Sequence, residues 1–260
     1  MSHKPRKRFS QNFLDDPAMV GAIVAAIGAA PGDCLIEIGP GTGALTRPLL
    51  RAVRTMHAIE IDRDLAAQLE TELAPALKVH TADALNIDLA VFGSNLRLVG
   101  NLPYNISTPL LFYMADYAER IRDIHVMLQK EVVDRMVAMA GDSNYSRLSV
   151  MLQYWFAMEK LLDVPACSFN PVPAVDSAVV RLTPHDPMPA VPRDYSVFAK
   201  LVTSAFSQRR KTLRNSLRAW TEAEDFSAAG IAPTARAQEL SVRQFVALAD
   251  RFVERGGRVP

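Results

Sequence analysis

The chain has 260 residues, 49% of them hydrophobic and 22% charged, with a formal net charge of +1. That balance excludes a disordered or fibrous chain and suits one sizeable α/β domain with room for a small appendage. No apolar run approaches the ~20 residues of a membrane helix. The two widely spaced cysteines, Cys34 and Cys167, form no CxxC or Cys/His cluster, which fits a reduced cytosolic protein without structural metal.

The near-neutral total hides an asymmetry. Residues 1–8 hold Lys4, Arg6, Lys7 and Arg8 without an acid, and residues 206–218 hold Arg209, Arg210, Lys211, Arg214 and Arg218 without an acid, leaving the remainder at −8. Clustered cations release counterions from phosphates, so a polyanion partner is implied; two solvated basic stretches are the plainer alternative.

In chain order, the first patterned stretch is Ala18–Ala30. A basic lead before an apolar run imitates a secretory signal, but Asp15 and Asp16 separate the two. With Asp16 as cap, Pro17 in the first turn and a stripe of Met19, Val20, Ile23, Val24 and Ile27, the stretch reads as a domain helix. From Asp33 onward, strands alternate with helices. Cys34–Ile38, Met56–Ile61, Leu77–Thr81, Leu96–Val99 and Ile124–Leu128 read as strands; Ala44–Val53, Leu65–Leu73 and Thr108–Tyr117 read as helices. Nearly continuous apolar strands are buried on both faces, so the pattern predicts a doubly wound, mostly parallel α/β sheet. The apolar runs Met151–Val164 and Ser177–Leu182 bracket a proline-rich stretch and predict a late hairpin. Thr183–Arg193, with four prolines, reads as a linker. The Arg-rich tail beyond it reads as helices over Ser196–Ser207, Thr212–Ala219 and Val242–Arg255. A boundary near residue 186 follows: a sheet domain over 1–186, led by the basic segment 1–12, and a small all-helical domain over 187–260.

Chemistry enters at Glu37-Ile38-Gly39-Pro40-Gly41-Thr42-Gly43, directly after the first of these strands. Glycines there permit positive φ and let a ligand approach the main chain. Their GxGxG spacing departs from the GxGxxG of pyrophosphate-binding folds, and the preceding Glu37 suits a cationic cofactor without phosphate. Glu60 closes the next strand, where a carboxylate can accept both hydroxyls of a ribose, and Asp83 follows the third strand, where it can accept from an adenine amine. After the fourth strand comes Asn101-Leu102-Pro103-Tyr104. An exocyclic adenine amine is a poor nucleophile because its lone pair is delocalised. The Asn101 oxygen and a carbonyl near Leu102 can accept its two hydrogens, and Tyr104 can stack on an extruded base. Transfer of a sulfonium methyl then reduces to positioning and electrostatics, with no metal required.

Together, Arg6–Asp15, Glu37–Thr46, Glu60-Ile61-Asp62, Asp83-Ala84, Gly100–Pro109, Leu128–Val133, Phe169–Ser177 and Phe206–Ser216 resemble the bacterial KsgA (RsmA) family of dimethyladenosine transferases over nearly the whole chain. The resemblance implies a Rossmann-like methyltransferase using S-adenosylmethionine (SAM) and releasing S-adenosylhomocysteine. Its expected product is N6,N6-dimethyladenosine at two adjacent adenosines near the 3′ end of 16S ribosomal RNA. It implies cofactor contacts from Asn12, Leu14, Gly39, Gly41, Glu60, Asp83 and Asn101. It also sets Phe169 opposite Tyr104 on the target base, whereas the residue alone reads more often as core. Arg6, Lys7, Arg8, Arg209, Arg210, Lys211, Arg214 and Arg218 are expected to grip the RNA; on a helix, Arg210, Arg214 and Arg218 would share one face. The implied partner is an immature small ribosomal subunit, met in the cytoplasm by a monomer. The rival readings are a related enzyme acting on large-subunit RNA, a non-catalytic assembly factor and, disfavoured by the glycine spacing, a nicotinamide-dependent dehydrogenase.

Overall fold

The computed structural model describes residues 12–208, 210–232 and 234–260. The chain divides into two compact units. One holds the residues up to Val133 together with Met158–Pro184; the other holds Asp134–Ala157 and His185–Pro260.

The first unit is built on a seven-stranded sheet. After the short strand β1 (Phe13–Leu14) comes helix α1 (Pro17–Ile27), whose first amides are capped by the Asp16 carboxylate and whose end is turned by Gly28 in the left-handed region. Then β2 (Cys34–Ile38), α2 (Thr46–Val53), β3 (Met56–Glu60), α3 (Arg63–Leu73), β4 (Leu77–Thr81), β5 (Leu96–Asn101), α4 (Ser107–Ala115) and β6 (Ile121–Gln129) alternate as expected. Helix α5 (Lys130–Val137) leads into the second unit, and β7 (Phe156–Val164), β8 (Phe169–Asn170) and β9 (Ser177–Pro184) return to the first. The strand order is β4-β3-β2-β5-β6-β9-β7. It is parallel from β4 through β6, with β9 antiparallel to β6. The late hairpin is formed by β7 and β9. The start of its apolar run, Met151–Trp155, belongs instead to helix α6 (Arg147–Trp155).

Both sheet faces are covered, as the apolar strands require. Leu35, Ala58, Val99, Met127 and Val179 form one core with Ile23, Ile27, Leu49, Val53 and Leu69 from α1 to α3. Their strand neighbours Ile36, Ile59, Leu98, Val126 and Val180 point to the opposite face and are equally buried. Opposite the carboxyl ends of the strands, Arg97 of β5 is 4% exposed. Its guanidinium bonds Asp33 at 2.6 Å and Asp123 at 2.9 Å, and donates to the carbonyl oxygens of Ile27 and Gly28 at the end of α1. One cation thereby ties β5, β6 and α1 together.

The second unit packs α6 with α7 (Tyr195–Phe206), α8 (Leu213–Ser216), α9 (Ala223–Ala228) and α10 (Val242–Glu254). Its core is aromatic. Tyr154 lies 5.2 Å from Phe198, Phe206 lies 5.8 Å from Phe245 and Trp220 lies 5.0 Å from Phe252, as ring centroids. A single boundary near residue 186 leaves Asp134–Ala157 with the sheet. The structure groups that segment with the helices, because the apolar face of α6 packs on α7. The expected helix over Thr212–Ala219 is also shorter, a single turn followed by turns through Trp220. Burying Leu213, Leu217 and Trp220 together winds this stretch tightly, so Arg210, Arg214 and Arg218 share no continuous helical face.

Removing one partner of a buried ion cluster leaves the others uncompensated. Arg97→Ala is therefore expected to lower stability by about 3–5 kcal/mol, read as a lowered urea midpoint; a midpoint equal to wild type would refute the role given to this cation.

Candidate active site

The strand order reverses between β2 and β5, and the crevice at the carboxyl ends of those two strands is where an open α/β sheet receives ligands. The glycine loop fills one side of it. Gly39, Gly41 and Gly43 have φ of 69°, 57° and 83°, a region that other residues adopt at a cost. On the other side β5 ends in Asn101, whose carbonyl oxygen lies 3.8 Å from the place a Gly39 side chain would occupy. Between them opens a cleft of about 1000 Å³, including its mouth.

Asn12, Leu14, Gly39, Gly41, Glu60, Asp83, Asn101 and Tyr104 all line this cleft. The sequence separates them by up to 92 positions; the sheet brings them together. Glu60 bridges its own strand and the loop: one carboxylate oxygen accepts from the Asp62 amide at 2.9 Å, the other from the Gly41 amide at 3.1 Å. Asp83 is half-buried and accepts from the Leu85 amide at 3.0 Å. The Asn101 amide nitrogen donates to the Asn12 carbonyl oxygen at 3.1 Å, which fixes the side chain and turns its oxygen into the acceptor. Tyr104 is half-buried, with its hydroxyl 2.8 Å from Ser177 Oγ.

Phe169 stands apart from these residues. It is 3% exposed, sits in the core with Leu14, and is not among the described residues lining the cleft. That burial matches the residue-level reading of Phe169 as core. Arg6, Lys7, Arg8 and Arg209 lie outside the described residues. Arg210, Lys211, Arg214 and Arg218 are exposed in the helical unit, where Lys211 and Arg218 share a polar recess with Ser204, Ser207, Gln208 and Asn215.

Four contributors escaped the sequence reading. The Phe13 ring covers the glycine loop, 3.1 Å from where a Gly41 side chain would begin. Ile61, 47% exposed, offers the cleft an apolar surface directly after Glu60. Thr46 donates to Glu37 at 2.7 Å, and Ser177 holds Tyr104. All four lie inside quoted motifs, and Phe13 and Ile61 sit beside residues already singled out; the roles of Thr46 and Ser177 are recognisable only once their partners are in place.

Electrostatics narrows the ligand. Glu37, Glu60 and Asp83 line the cleft, and no Lys or Arg does so among the described residues. A pyrophosphate would find no cation there, whereas a ligand carrying a sulfonium and an ammonium finds three carboxyl groups. Burial pushes Glu37 up to about 7, with the Thr46 hydroxyl opposing and Glu60 adding to the rise. Burial also raises Glu60, against the pull of the Asp62 and Gly41 amides. Among the described residues, no cluster of three or more His, Cys, Asp or Glu could hold a metal ion. No helix of the described residues is long and apolar enough to cross a membrane.

A sheet reversed at this point, with a GxGxG loop and a cleft lined by acids that suit a cationic nucleoside, defines the class of Rossmann-like methyltransferases that use SAM. Comparison with known proteins narrows the class. The profile described as "Ribosomal RNA adenine dimethylase" matches residues 2–254, and the chain belongs to that family. It is 56% identical to the ribosomal RNA small subunit methyltransferase A of Laribacter hongkongensis, over 98% of both chains. Among solved structures it resembles a dimethyladenosine transferase from Plasmodium falciparum, with TM-score 0.80 and 26% identity over 94% of this chain and 98% of that one. It also resembles the 23S rRNA methyltransferase ErmE, with TM-score 0.75 and 26% identity over 93% and 100%.

Because burial raises Glu37 to about 7, leaving it partly protonated near neutrality, and a cationic ligand favours the carboxylate, SAM binding should release a proton. Affinity is then expected to rise with pH up to about 7 and level off above it. Calorimetry near neutral pH, in two buffers of different ionisation enthalpy, detects the proton; Glu37→Gln should lower the number of protons released. Affinity independent of pH in the wild type would overturn this electrostatic account.

Proposed function

We propose that this protein transfers methyl groups from SAM to the N6 amines of two adjacent adenosines near the 3′ end of 16S ribosomal RNA. It would do so as a cytoplasmic monomer acting on an immature small subunit. The observation that carries the reading is the Asn101 amide, locked by the Asn12 carbonyl with its oxygen left to accept, beside an acidic cleft at the strand reversal.

SAM supplies a methyl group already activated on a sulfonium. The protein's own residues do the rest. Gly39 and Gly41 leave main chain open to the cofactor's amino-acid portion, with Asn12 and Leu14 alongside. Glu60 accepts from its ribose and Asp83 from its adenine amine; each carboxylate oxygen keeps acceptor capacity beyond the amide bond it already makes. Asn101 Oδ1 and the main-chain carbonyl at Leu102 accept the two hydrogens of the target amine. That grip orients the nitrogen and draws its lone pair out of conjugation toward the methyl group. Tyr104 stacks on the extruded base, worth about 1–3 kcal/mol. The nitrogen becomes acidic once methylated, so its proton departs without a strongly basic side chain. The small-subunit relative, 56% identical over nearly the full length, favours that substrate over the large-subunit RNA named for ErmE.

Wild-type protein given labelled SAM and immature small subunits should form N6,N6-dimethyladenosine; no label at adequate concentration rejects the proposal. Asn101→Ala is expected to lose about 10²–10³-fold in turnover while SAM affinity falls far less. Equal losses would mean that Asn101 chiefly holds cofactor. The exposed Arg214 and Arg218 are proposed to contact RNA phosphates. Changing either to Ala should lower the slope of log affinity for small subunits against log salt by roughly 1, and an unchanged slope would remove that residue from the interface.

A further inference from the structure

Tyr104 is anchored at both ends. Ser107 Oγ donates to its carbonyl oxygen at 3.0 Å, and its phenol oxygen lies 2.8 Å from Ser177 Oγ. Ser107 is 3% exposed and Ser177 fully buried, so water does not compete freely for either bond. Ser177 is also part of the sheet frame. It begins β9, stands in register with Gln129 of β6, and follows Asp176, whose carbonyl oxygen accepts from the Lys130 amide at 3.0 Å. A phenylalanine would offer a base the same stacking face, so the hydroxyl has another use. It fixes the ring's rotation from a strand 73 positions away in sequence. Tyr104 lines the cleft with Asn101, whereas Phe13 packs on the glycine loop and Phe169 lies in the core.

We propose that Ser177 is a positioning residue that locks the Tyr104 ring against the target base, and that this lock is what carries the second methyl transfer. The inference rests on the reading of Tyr104 as the stacking wall. An unmethylated amine offers two hydrogens to the acceptors at Asn101 and Leu102. After one transfer a single hydrogen remains, one grip is lost, and the half-finished nucleotide depends more on the ring. Loosening the ring therefore slows the second transfer more than the first, and N6-monomethyladenosine accumulates.

The test compares Ser177→Ala, Tyr104→Phe, the double variant and Tyr104→Ala on unmethylated small ribosomal subunits. The readout is the ratio of mono- to dimethyladenosine at matched total methyl incorporation; SAM binding is followed separately by calorimetry. Each conservative single variant should lower kcat about 3–10-fold, the range one neutral hydrogen bond supports. Each should raise the mono-to-di ratio while SAM affinity stays at the wild-type value, and the double variant should match either single. A protein that merely folds less well slows both transfers by one factor and leaves the ratio alone. A wild-type ratio in both singles, or additive losses in the double variant, overturns the lock. Tyr104→Ala reports on the underlying reading: loss of turnover upholds the stacking wall whatever Ser177 does, and wild-type turnover removes wall and lock together.

Discussion

At Gly100, strand β5 runs so close to β2 that one added carbon would collide with the carbonyl oxygen of Ile38. The candidate site depends on that approach. It sets Gly39 and Asn101, the ends of two adjacent parallel strands, side by side at the place where the strand order reverses. Helices leaving these strands go to neighbours on opposite sides, so the crevice cannot be filled by the sheet itself. A bulkier residue at 100 would push the strands apart and separate the glycine loop from Asn101.

The charge distribution divides the chain into two electrostatic tasks. Inside the cleft, Glu37 is a buried acid whose proton affinity is raised by desolvation, ready to be drawn into the charged form by a cationic ligand, and burial shifts Glu60 in the same direction. On the helical unit, Arg210, Lys211, Arg214 and Arg218 stand in solvent, where the proposed contact with RNA phosphates would draw on them. A net charge of +1 results from these opposite fields and says little about either.

The segment around β1 links the two halves of the site. Asn12 fixes Asn101 through its carbonyl, Phe13 covers Gly41, and β1 pairs with β8, with Leu14 opposite Phe169. Ser168 closes the far end by accepting from the Asp15 amide at 2.8 Å and donating to the Asp16 carboxylate at 3.2 Å. The strand that roofs the cofactor cleft is thus the strand that holds the Phe169 loop. That coupling accounts for Phe169 lying in the core: its ring fills space beneath Leu14.

Strand identity, helix phase and the ladder Gly39, Glu60, Asp83, Asn101 were legible in the sequence, because period, caps and a residue's place at a strand end are local properties. Cys34–Ile38 and Leu77–Thr81 have the bounds their patterns predict, and Asp16 caps α1. What the tertiary structure decided depends on contacts between distant residues. An apolar helix such as α6 does not carry the address of the core it joins. A run of spaced arginines does not reveal that Leu213, Leu217 and Trp220 will wind it into turns, and a serine at 177 gives no sign of a tyrosine at 104. Local sequence fixes which face a side chain presents; only packing fixes what that face meets.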